Sequence, residues 1–385
     1  MSKRILVLGS TGSVGRNVLD VVSHHADRFQ VVGLAAKQNI GLLREQCEAY
    51  PEVKYAVGER DAHQTLLAEN SEMRSRSVGS GSDGLLVLIE DTKPDLVVNC
   101  LLGFAGLGPT LHALSKGIDV ALANKEAIVT GGELIRDECH RSGANVIPID
   151  SEHVGISQCV QGRNGEDIEA VYITASGGAL RDMPLDQLHK VRPSDVLAHP
   201  TWDMGDKITV DSATLLNKGL EVIEAHWLFD LAYDKIKVLI HPQSIVHSLV
   251  EFKDNSILAQ MAVPDMRLPI LYALGYPERI DTKLAKSKIT EFPELTFREV
   301  EDKRYPCFKL ALQAAAQGGN MPAVLNSANE FAVGAFLAGK VPFSQIFDVV
   351  AAALGAMEFM ELRSFDDVYE TDRLTRSYLK ERFGF

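Results

Sequence analysis

Two short stretches carry residues whose types and spacing suit chemistry at a cation and at a phosphate. Asp150-Ser151-Glu152 sets two carboxylates two residues apart, and at an extended strand end both would face one spot. Converging carboxylates repel each other unless something positive sits between them. A divalent cation, which prefers hard oxygen ligands, answers that need. The second stretch runs from Asp211 to Glu224. Asp211 and Ser212 read as the small polar entry of a helix, ahead of the apolar residues Leu215, Leu216, Leu220, Val222 and Ile223. On that helix Asn217 and Glu221 lie four apart and Lys218 and Glu221 three apart, so an amide, an ammonium and a carboxylate crowd one face. A serine, an amide and an ammonium near a helix N-terminus suit a phosphate. Glu221, one turn further on, suits a cation and would be its third ligand if the two stretches meet. Each stretch alone also has a plain reading, an acidic solvated turn and an amphipathic helix with one ion pair.

The elements that must position these residues begin at the N-terminus. Arg4–Leu8 is a short apolar run, followed by Gly9-Ser-Thr-Gly12-Ser-Val-Gly15 and a helical pattern through Val22. Strand, glycine turn, helix is the context of a dinucleotide site, with the helix N-terminus facing the pyrophosphate. The second strand, Gln30–Ala35, leads into Ala36-Lys37-Gln38-Asn39 with no carboxylate for ribose hydroxyls. A cation and two amides there favour a 2′-phosphate, hence NADP(H). Residues 94–100, 119–123 and 144–149 read as further parallel strands, with a loop at 77–84. Gly103–Gly108 offers a loop where backbone can approach a cofactor, and Asn124-Lys125-Glu126 follows a strand directly, where open α/β sheets bind ligands.

From Ala170 a strand runs into Ser176-Gly-Gly178, a turn suited to an anion. The polar loop Arg192–Gly205 contains His199, Trp202 and Met204, and reads as a lid because large apolar side chains in such a loop need something to close over. Residues 238–252 and 256–263 alternate like paired antiparallel strands, and His241 and His247 read as structural. Helical patterns near 305–317, 322–337, 343–359 and 365–382 suggest a four-helix bundle. The expected class is α/β: an N-terminal Rossmann-like domain over 1–149, a central α+β catalytic domain over 150–275, a linker at 276–301 and a helical bundle over 302–385.

The 385 residues exceed one ordinary core, and the net charge of −13 argues against nucleic acid or an anionic membrane as partner. Five scattered cysteines (Cys47, Cys100, Cys139, Cys159 and Cys307) read as reduced thiols. With a strand starting at Ile5 and no membrane-length apolar run, the expected location is the cytoplasm.

In order, Gly9–Gly15, Ala123–Glu126, Asp150–His153, Ala175–Gly178, His199–Gly205, Asp211–Glu224, His241–Ser244 and Pro264–Arg267 resemble the 1-deoxy-D-xylulose 5-phosphate reductoisomerase family over essentially the whole chain. The resemblance implies a bacterial-type enzyme of the non-mevalonate isoprenoid pathway. It would rearrange 1-deoxy-D-xylulose 5-phosphate and reduce it with NADPH to 2-C-methyl-D-erythritol 4-phosphate. It further implies Mg²⁺, Mn²⁺ or Co²⁺ on Asp150, Glu152 and Glu221, which with Lys125 form the catalytic set. Ser176, His199, Ser212, Asn217 and Lys218 would bind the phosphate end of the substrate. Lys125 and Ser151 would line the sugar end with Glu126, which also borders the cofactor, while Trp202 and Met204 close over it and Met266 lies near. Thr11, Gly12, Ser13, Val14, Ala36, Lys37, Gln38, Asn39, Asn124 and Gly205 would contact NADPH. A homodimer joined through the strands of 238–263 is also implied. Ala198 stands where the family pattern has a basic residue, and Val14 where it has isoleucine. Two other functions share the first domain: an NADP-dependent semialdehyde or hydroxy-acid dehydrogenase, and a non-catalytic NADPH-binding regulator. Metal dependence of turnover separates them from the family activity.

Overall fold

A computed structural model describes residues 2–199, 201–202, 204–292 and 294–384. The chain divides into two compact units, Met1–Ala127 with Ile135–Asp150 and Asp265–Ala285, and Ile128–Leu134 with Ser151–Pro264 and Lys286–Phe385.

The first unit is built on a parallel sheet of β1 (Lys3–Leu8), β2 (Phe29–Ala36), β3 (Lys54–Val57), β4 (Ser77–Ser80), β5 (Leu96–Asn99), β6 (Asp119–Leu122) and β7 (Val146–Pro148). Their order is β4-β3-β2-β1-β5-β6-β7. Ile5 to Leu8 have no solvent exposure at all, as expected for a central parallel strand covered on both faces. The chain winds outward from β1 to β4 and resumes beyond β1 at β5, so the switch point where such sheets bind ligands lies at the ends of β1 and β5. The helix Ser13–His24 follows the glycine turn and buries Gly15, Val18, Leu19, Val21 and Val22, an i, i+3, i+4 stripe. A Cβ on Gly15 would lie 2.2 Å from the Gly9 carbonyl oxygen, so only glycine lets the helix start this close to the turn. The sequence suggests a loop at 77–84. The chain instead adds β4 there and begins the helix Gly81–Thr92, because the serine-rich segment pairs with β3.

Asp265–Ala285 also belongs to this unit, which corrects the expected boundary at 275. In the helix Arg267–Gly275, Ile270, Leu271 and Leu274 enter the same core as Val18 and Val22. Arg267 reaches Asp20 at 3.2 Å, and Lys3 Nζ donates to the Leu274 carbonyl at 2.8 Å.

The second unit holds β8 (Ile168–Ala175), β9 (Ile236–Ile240), β10 (Val246–Phe252), β11 (Ile257–Met261) and β12 (Arg298–Glu299), in the order β11-β10-β8-β9-β12. The alternation over 238–252 suggests one long strand. In fact His241–Ile245 breaks it, and β8 lies between β9 and β10, parallel to the former and antiparallel to the latter. The break is held by His241, whose Nδ1–H donates to the Thr296 carbonyl while Nε2 accepts the N–H of Ile245 and Val246. Thr296 and β12 fall inside the expected linker, so that stretch is in part a sheet edge.

One face of this sheet is covered by the helices Ser151–Val160 and Leu216–Phe229, through Ile156, Cys159, Val222 and Ala225. The helix Leu216–Phe229 turns Leu216, Leu220 and Ile223 to a second core shared with Pro306–Gln317, Met321–Leu337 and Gln345–Ala356. With Phe365–Phe383 these make the expected four helices. Being clad on both sides, residues 216 to 225 are all buried, so every polar group among them needs a partner.

Candidate active site

The buried stretch 216–225 of the helix Leu216–Phe229 carries four polar side chains, Asn217, Lys218, Glu221 and Glu224. Lys218 Nζ donates to Glu221 Oε2 at 2.7 Å and also to Glu152 Oε1, and Asn217 Nδ2 donates to Glu221 Oε1. Side-chain exposure is 8% for Lys218, 1% for Glu221 and 13% for Glu152. One ammonium thus holds two carboxylates in a poorly solvated place, where removal of either partner strands a charge. Glu152 reaches the cluster from the first turn of the helix Ser151–Val160. That corrects the expected extended geometry: the helix starts one residue after Asp150, so Ser151 and Glu152 are helical. In the first unit, Lys125 Nζ and Asp150 Oδ2 form an ion pair at 2.6 Å, with 7% of the lysine and 16% of the aspartate side chain exposed.

The expected helix entry at Asp211 is also corrected. Asp206–Thr214 is a helix already, Leu215 breaks it with φ 59°, and Leu216 starts the next one. Asp211 therefore lies buried in mid-helix, accepting from Asn329 Nδ2 at 2.8 Å and pairing with Lys207 at 3.0 Å. Ser212 follows it, with its hydroxyl donated to the Ile208 carbonyl at 2.9 Å.

The Ser176 turn faces this helix break. His199 Nδ1 accepts the N–H groups of Thr201 and Trp202, so in the neutral ring Nε2 carries the proton and donates to Ser176 Oγ at 3.0 Å. Burial, then the Lys218 charge, push the His199 pKa down to about 4, in keeping with that neutral tautomer. Ser176 Oγ also accepts from Gly178 N–H at 3.1 Å. With both acceptor positions used, its own hydrogen is left to donate. Gly178 adopts φ +70°, and a Cβ there would sit 2.6 Å from the Ala213 backbone. Tyr305 and Arg181 fix the turn from behind by donating to the carbonyls of Gly177 and Ser176.

In the expected lid, Pro200 and Asp203 lie outside the described residues. Trp202 is partly buried with its ring 6.1 Å from that of His247, and Met204 and Gly205 lead into the Asp206 helix, with Gly205 at its N-cap. Met266 packs on the first unit's core.

At the expected cofactor end, Thr11 and Val14 are partly buried, Gly12 and Ser13 exposed, and Gly12 is the N-cap of the Ser13 helix with no acidic residue in its first turn. Ala36 ends β2, Lys37 and Gln38 follow exposed, and Asn39 caps the helix Ile40–Ala49 by accepting from Leu42 N–H. Asn124 commits its side chain to protein partners: Oδ1 accepts from Ala127 N–H, and Nδ2 donates to Leu101, Gly103 and Glu126. It therefore pins the Gly103 loop.

Several residues of these surroundings have roles that the sequence does not announce. His153 Nε2–H donates to the Glu221 carbonyl at 3.0 Å, and its Nδ1 lies 3.5 Å from Glu224. Gln46 clasps the glycine turn, accepting from Ser10 Oγ at 2.7 Å and donating to the Ser10 carbonyl at 2.9 Å. Asn329 supports Asp211 from 118 residues away. None of these contacts has a local signal, because each joins residues distant in the chain.

Comparison with known proteins gives one family. Residues 5–132 match the 1-deoxy-D-xylulose 5-phosphate reductoisomerase profile, 146–229 its C-terminal domain, and 261–378 the DXP reductoisomerase C-terminal domain. The chain is 47% identical to the 1-deoxy-D-xylulose 5-phosphate reductoisomerase of Pelotomaculum thermopropionicum, over 97% of both chains. It is 43% identical to the enzyme of that name from Bacillus subtilis, over 98% of both. Among solved structures, a DOX-P reductoisomerase in complex with NADPH, fosmidomycin and magnesium superposes with a TM-score of 0.94 at 34% identity, covering 99% of this chain and 98% of that one. The Zymomonas mobilis enzyme in complex with NADPH superposes at 0.91 and 36% identity, covering 100% and 99%.

Proposed function

Since the chain belongs to the 1-deoxy-D-xylulose 5-phosphate reductoisomerase family, we propose how its own residues divide that activity. The reaction is the rearrangement of 1-deoxy-D-xylulose 5-phosphate and its reduction by NADPH to 2-C-methyl-D-erythritol 4-phosphate, with a divalent cation required.

The observation that carries the residue assignment is the pair of carboxylates, buried Glu221 and partly buried Glu152, already turned toward one cation, the Lys218 ammonium. Hard oxygen donors collected in this way fit Mg²⁺ or Mn²⁺. Asp150, two residues before Glu152 in the chain, would complete the set. The metal would act as a Lewis acid on the substrate oxygens, lowering the cost of negative charge developing there. Lys218, displaced from between the carboxylates, keeps a positive charge beside the phosphate seat. Ser176 presents a hydroxyl hydrogen, and His199, Ser212 and Asn217 surround the same anion. Lys125 and Ser151 contact the sugar, with Glu126 beside them. Trp202 and Met204 exclude water when the loop closes, and Met266 borders the substrate.

In the first unit, Thr11, Gly12, Ser13 and Val14 would hold the pyrophosphate of NADPH at the helix N-terminus. Ala36, Lys37, Gln38 and Asn39 would take the adenosine 2′-phosphate, with Asn124, Glu126 and Gly205 toward the nicotinamide. The protein acts as a homodimer. The edge strand β11 supports this, since it leaves Ile257 54% and Leu258 36% exposed beside an unpaired strand edge. Among the described residues no helix is long and apolar enough to cross a membrane.

The deciding experiment is oxidation of NADPH in the presence of 1-deoxy-D-xylulose 5-phosphate. Turnover should require both, stop with a chelator and return with Mg²⁺ or Mn²⁺. Chelator-resistant turnover would refute the metal assignment. A monomer in light scattering, unchanged by Ile257→Lys, would refute the dimer.

A further inference from the structure

The 2′-phosphate segment is not empty of negative charge. β2 and β3 run parallel with Ala36 beside Val57, and their ladder continues past both strand ends. Gly58 N–H donates to the Ala36 carbonyl at 2.8 Å and Glu59 N–H to the Lys37 carbonyl at 2.9 Å. This pairing sets Glu59 directly beside Lys37 and Gln38. Lys37 Nζ lies 3.8 Å from Glu59 Oε1. With the Gln38 amide turned so that both its atoms are satisfied, its nitrogen lies 3.1 Å from each Glu59 oxygen. Glu59 is the N-cap of the helix Arg60–Glu69, yet its side chain makes no capping hydrogen bond. The carboxylate is engaged with the neighbouring strand's end instead.

We propose that Glu59 is a specificity-determining residue, a carboxylate on the next strand that competes with the 2′-phosphate of the cofactor for Lys37 and Gln38. This rests on the reading of Lys37, Gln38 and Asn39 as the 2′-phosphate seat. A carboxylate and a phosphate dianion cannot share one ammonium and one amide without repulsion. Binding of NADPH therefore requires Glu59 to swing away, which weakens NADPH relative to an open seat. NADH, with a hydroxyl in that place, has no such conflict. Glu59 thus narrows the gap between the two cofactors. The effect is modest, because 78% of the Lys37 side chain and 44% of the Glu59 side chain are exposed and water screens the pair.

The test is cofactor binding by the full-length protein, followed by fluorescence of the reduced nicotinamide, for Glu59→Gln and Glu59→Ala. Both variants should bind NADPH about three- to tenfold more tightly at low salt, with the gain shrinking as salt rises, and bind NADH within about twofold of the unmodified protein. The Lys37→Ala protein separates the two layers of the argument. If Lys37→Ala weakens NADPH and the gain from Glu59→Gln disappears in the double variant, competition for Lys37 is upheld. If Lys37→Ala weakens NADPH but Glu59→Gln brings no gain, Glu59 is not a competitor and the proposal is overturned while the seat stands. If Lys37→Ala leaves NADPH binding unchanged, the seat itself is wrong. Loss of NADH affinity in Glu59→Gln, without gain for NADPH, would overturn the proposal by making Glu59 a ribose ligand.

Discussion

Lys37 and Lys218 carry the same ammonium on the same stem, yet 78% of one side chain is exposed and 8% of the other. Lys37 stands on a strand end with a single carboxylate at 3.8 Å. Lys218 stands on a helix clad by a sheet and a helical bundle, between two carboxylates. The exposed lysine can select a ligand by fractions of its charge, because water carries the rest of the load. The buried one cannot be changed without leaving Glu152 and Glu221 to repel each other. On the proposed assignment, recognition of the cofactor falls where errors are mild, and bond rearrangement where fields are strong and fixed.

The largest test of that contrast is Glu221→Gln. It should lower kcat/KM by about a thousandfold or more, roughly 4 kcal/mol of transition-state stabilisation, because a neutral amide is a poor ligand and a poor partner for Lys218. The dissociation constant for NADPH should stay within about twofold of the unmodified value. Near-normal turnover with metal controlled would show that the buried cluster is structural.

Next comes Lys218→Met, which removes the ammonium and keeps the stem. Breaking a buried charge cluster in this way should cost about 3 kcal/mol of stability in the metal-free protein. Added Mg²⁺ or Mn²⁺ should then raise the Tm of the variant more than that of the unmodified protein, since the ion replaces the lost charge. An equal rise in both would mean that the ion binds elsewhere. Lys37→Ala, by contrast, should leave Tm untouched.

Much of this arrangement was legible in the sequence, for reasons that differ by residue. The β1 run, the glycine turn and the Ser13 helix are local patterns, and they stand where the periodicity puts them. Asn217, Lys218 and Glu221 were legible as one helical face whatever the helix boundary. The boundary itself was not, because Asp211 and Ser212 look like an N-cap. They sit in mid-helix because Leu215 accepts a left-handed conformation that nothing in its type announces. Ser151 and Glu152 open a helix where the sequence suggests an extended end, because that helix has a weak apolar pattern. The contacts of Gln46, Asn329 and Glu59 could not be found from sequence spacing, because they depend on register and packing between distant segments.

Gln46 offers a test of intermediate size on the cofactor side. Gln46→Leu keeps the buried volume but leaves the Ser10 hydroxyl and carbonyl without their partner, a cost of about 1–3 kcal/mol shared between folding and the shape of the glycine turn. The expected result is a severalfold higher KM for NADPH with kcat at saturation nearly unchanged. A fall in kcat with KM intact would place Gln46 in catalysis and blur the division between the two regions.

His199 lies between the two extremes, half-buried, and predicts the smallest effect. Its pKa is pushed down to about 4 by burial and then by Lys218, whereas in the unfolded chain it stands near the ordinary value of about 6.5. As pH falls through that window the unfolded chain takes up a proton that the folded one refuses, so stability declines with falling pH. The contribution is fully present above about pH 6.5 and is lost progressively toward pH 4. Solvent reaches part of the ring, which holds the effect to about 1–2 °C in Tm. His199→Gln cannot titrate, and it should flatten the acid limb of the Tm profile by that amount while leaving the neutral plateau close to normal. Phosphate ligands should oppose the decline in the unmodified protein, because a dianion beside the imidazole favours its protonated form. If the acid limb is the same in both proteins, with and without inorganic phosphate, then His199 is not the buried neutral donor to Ser176 that the hydrogen bonds describe.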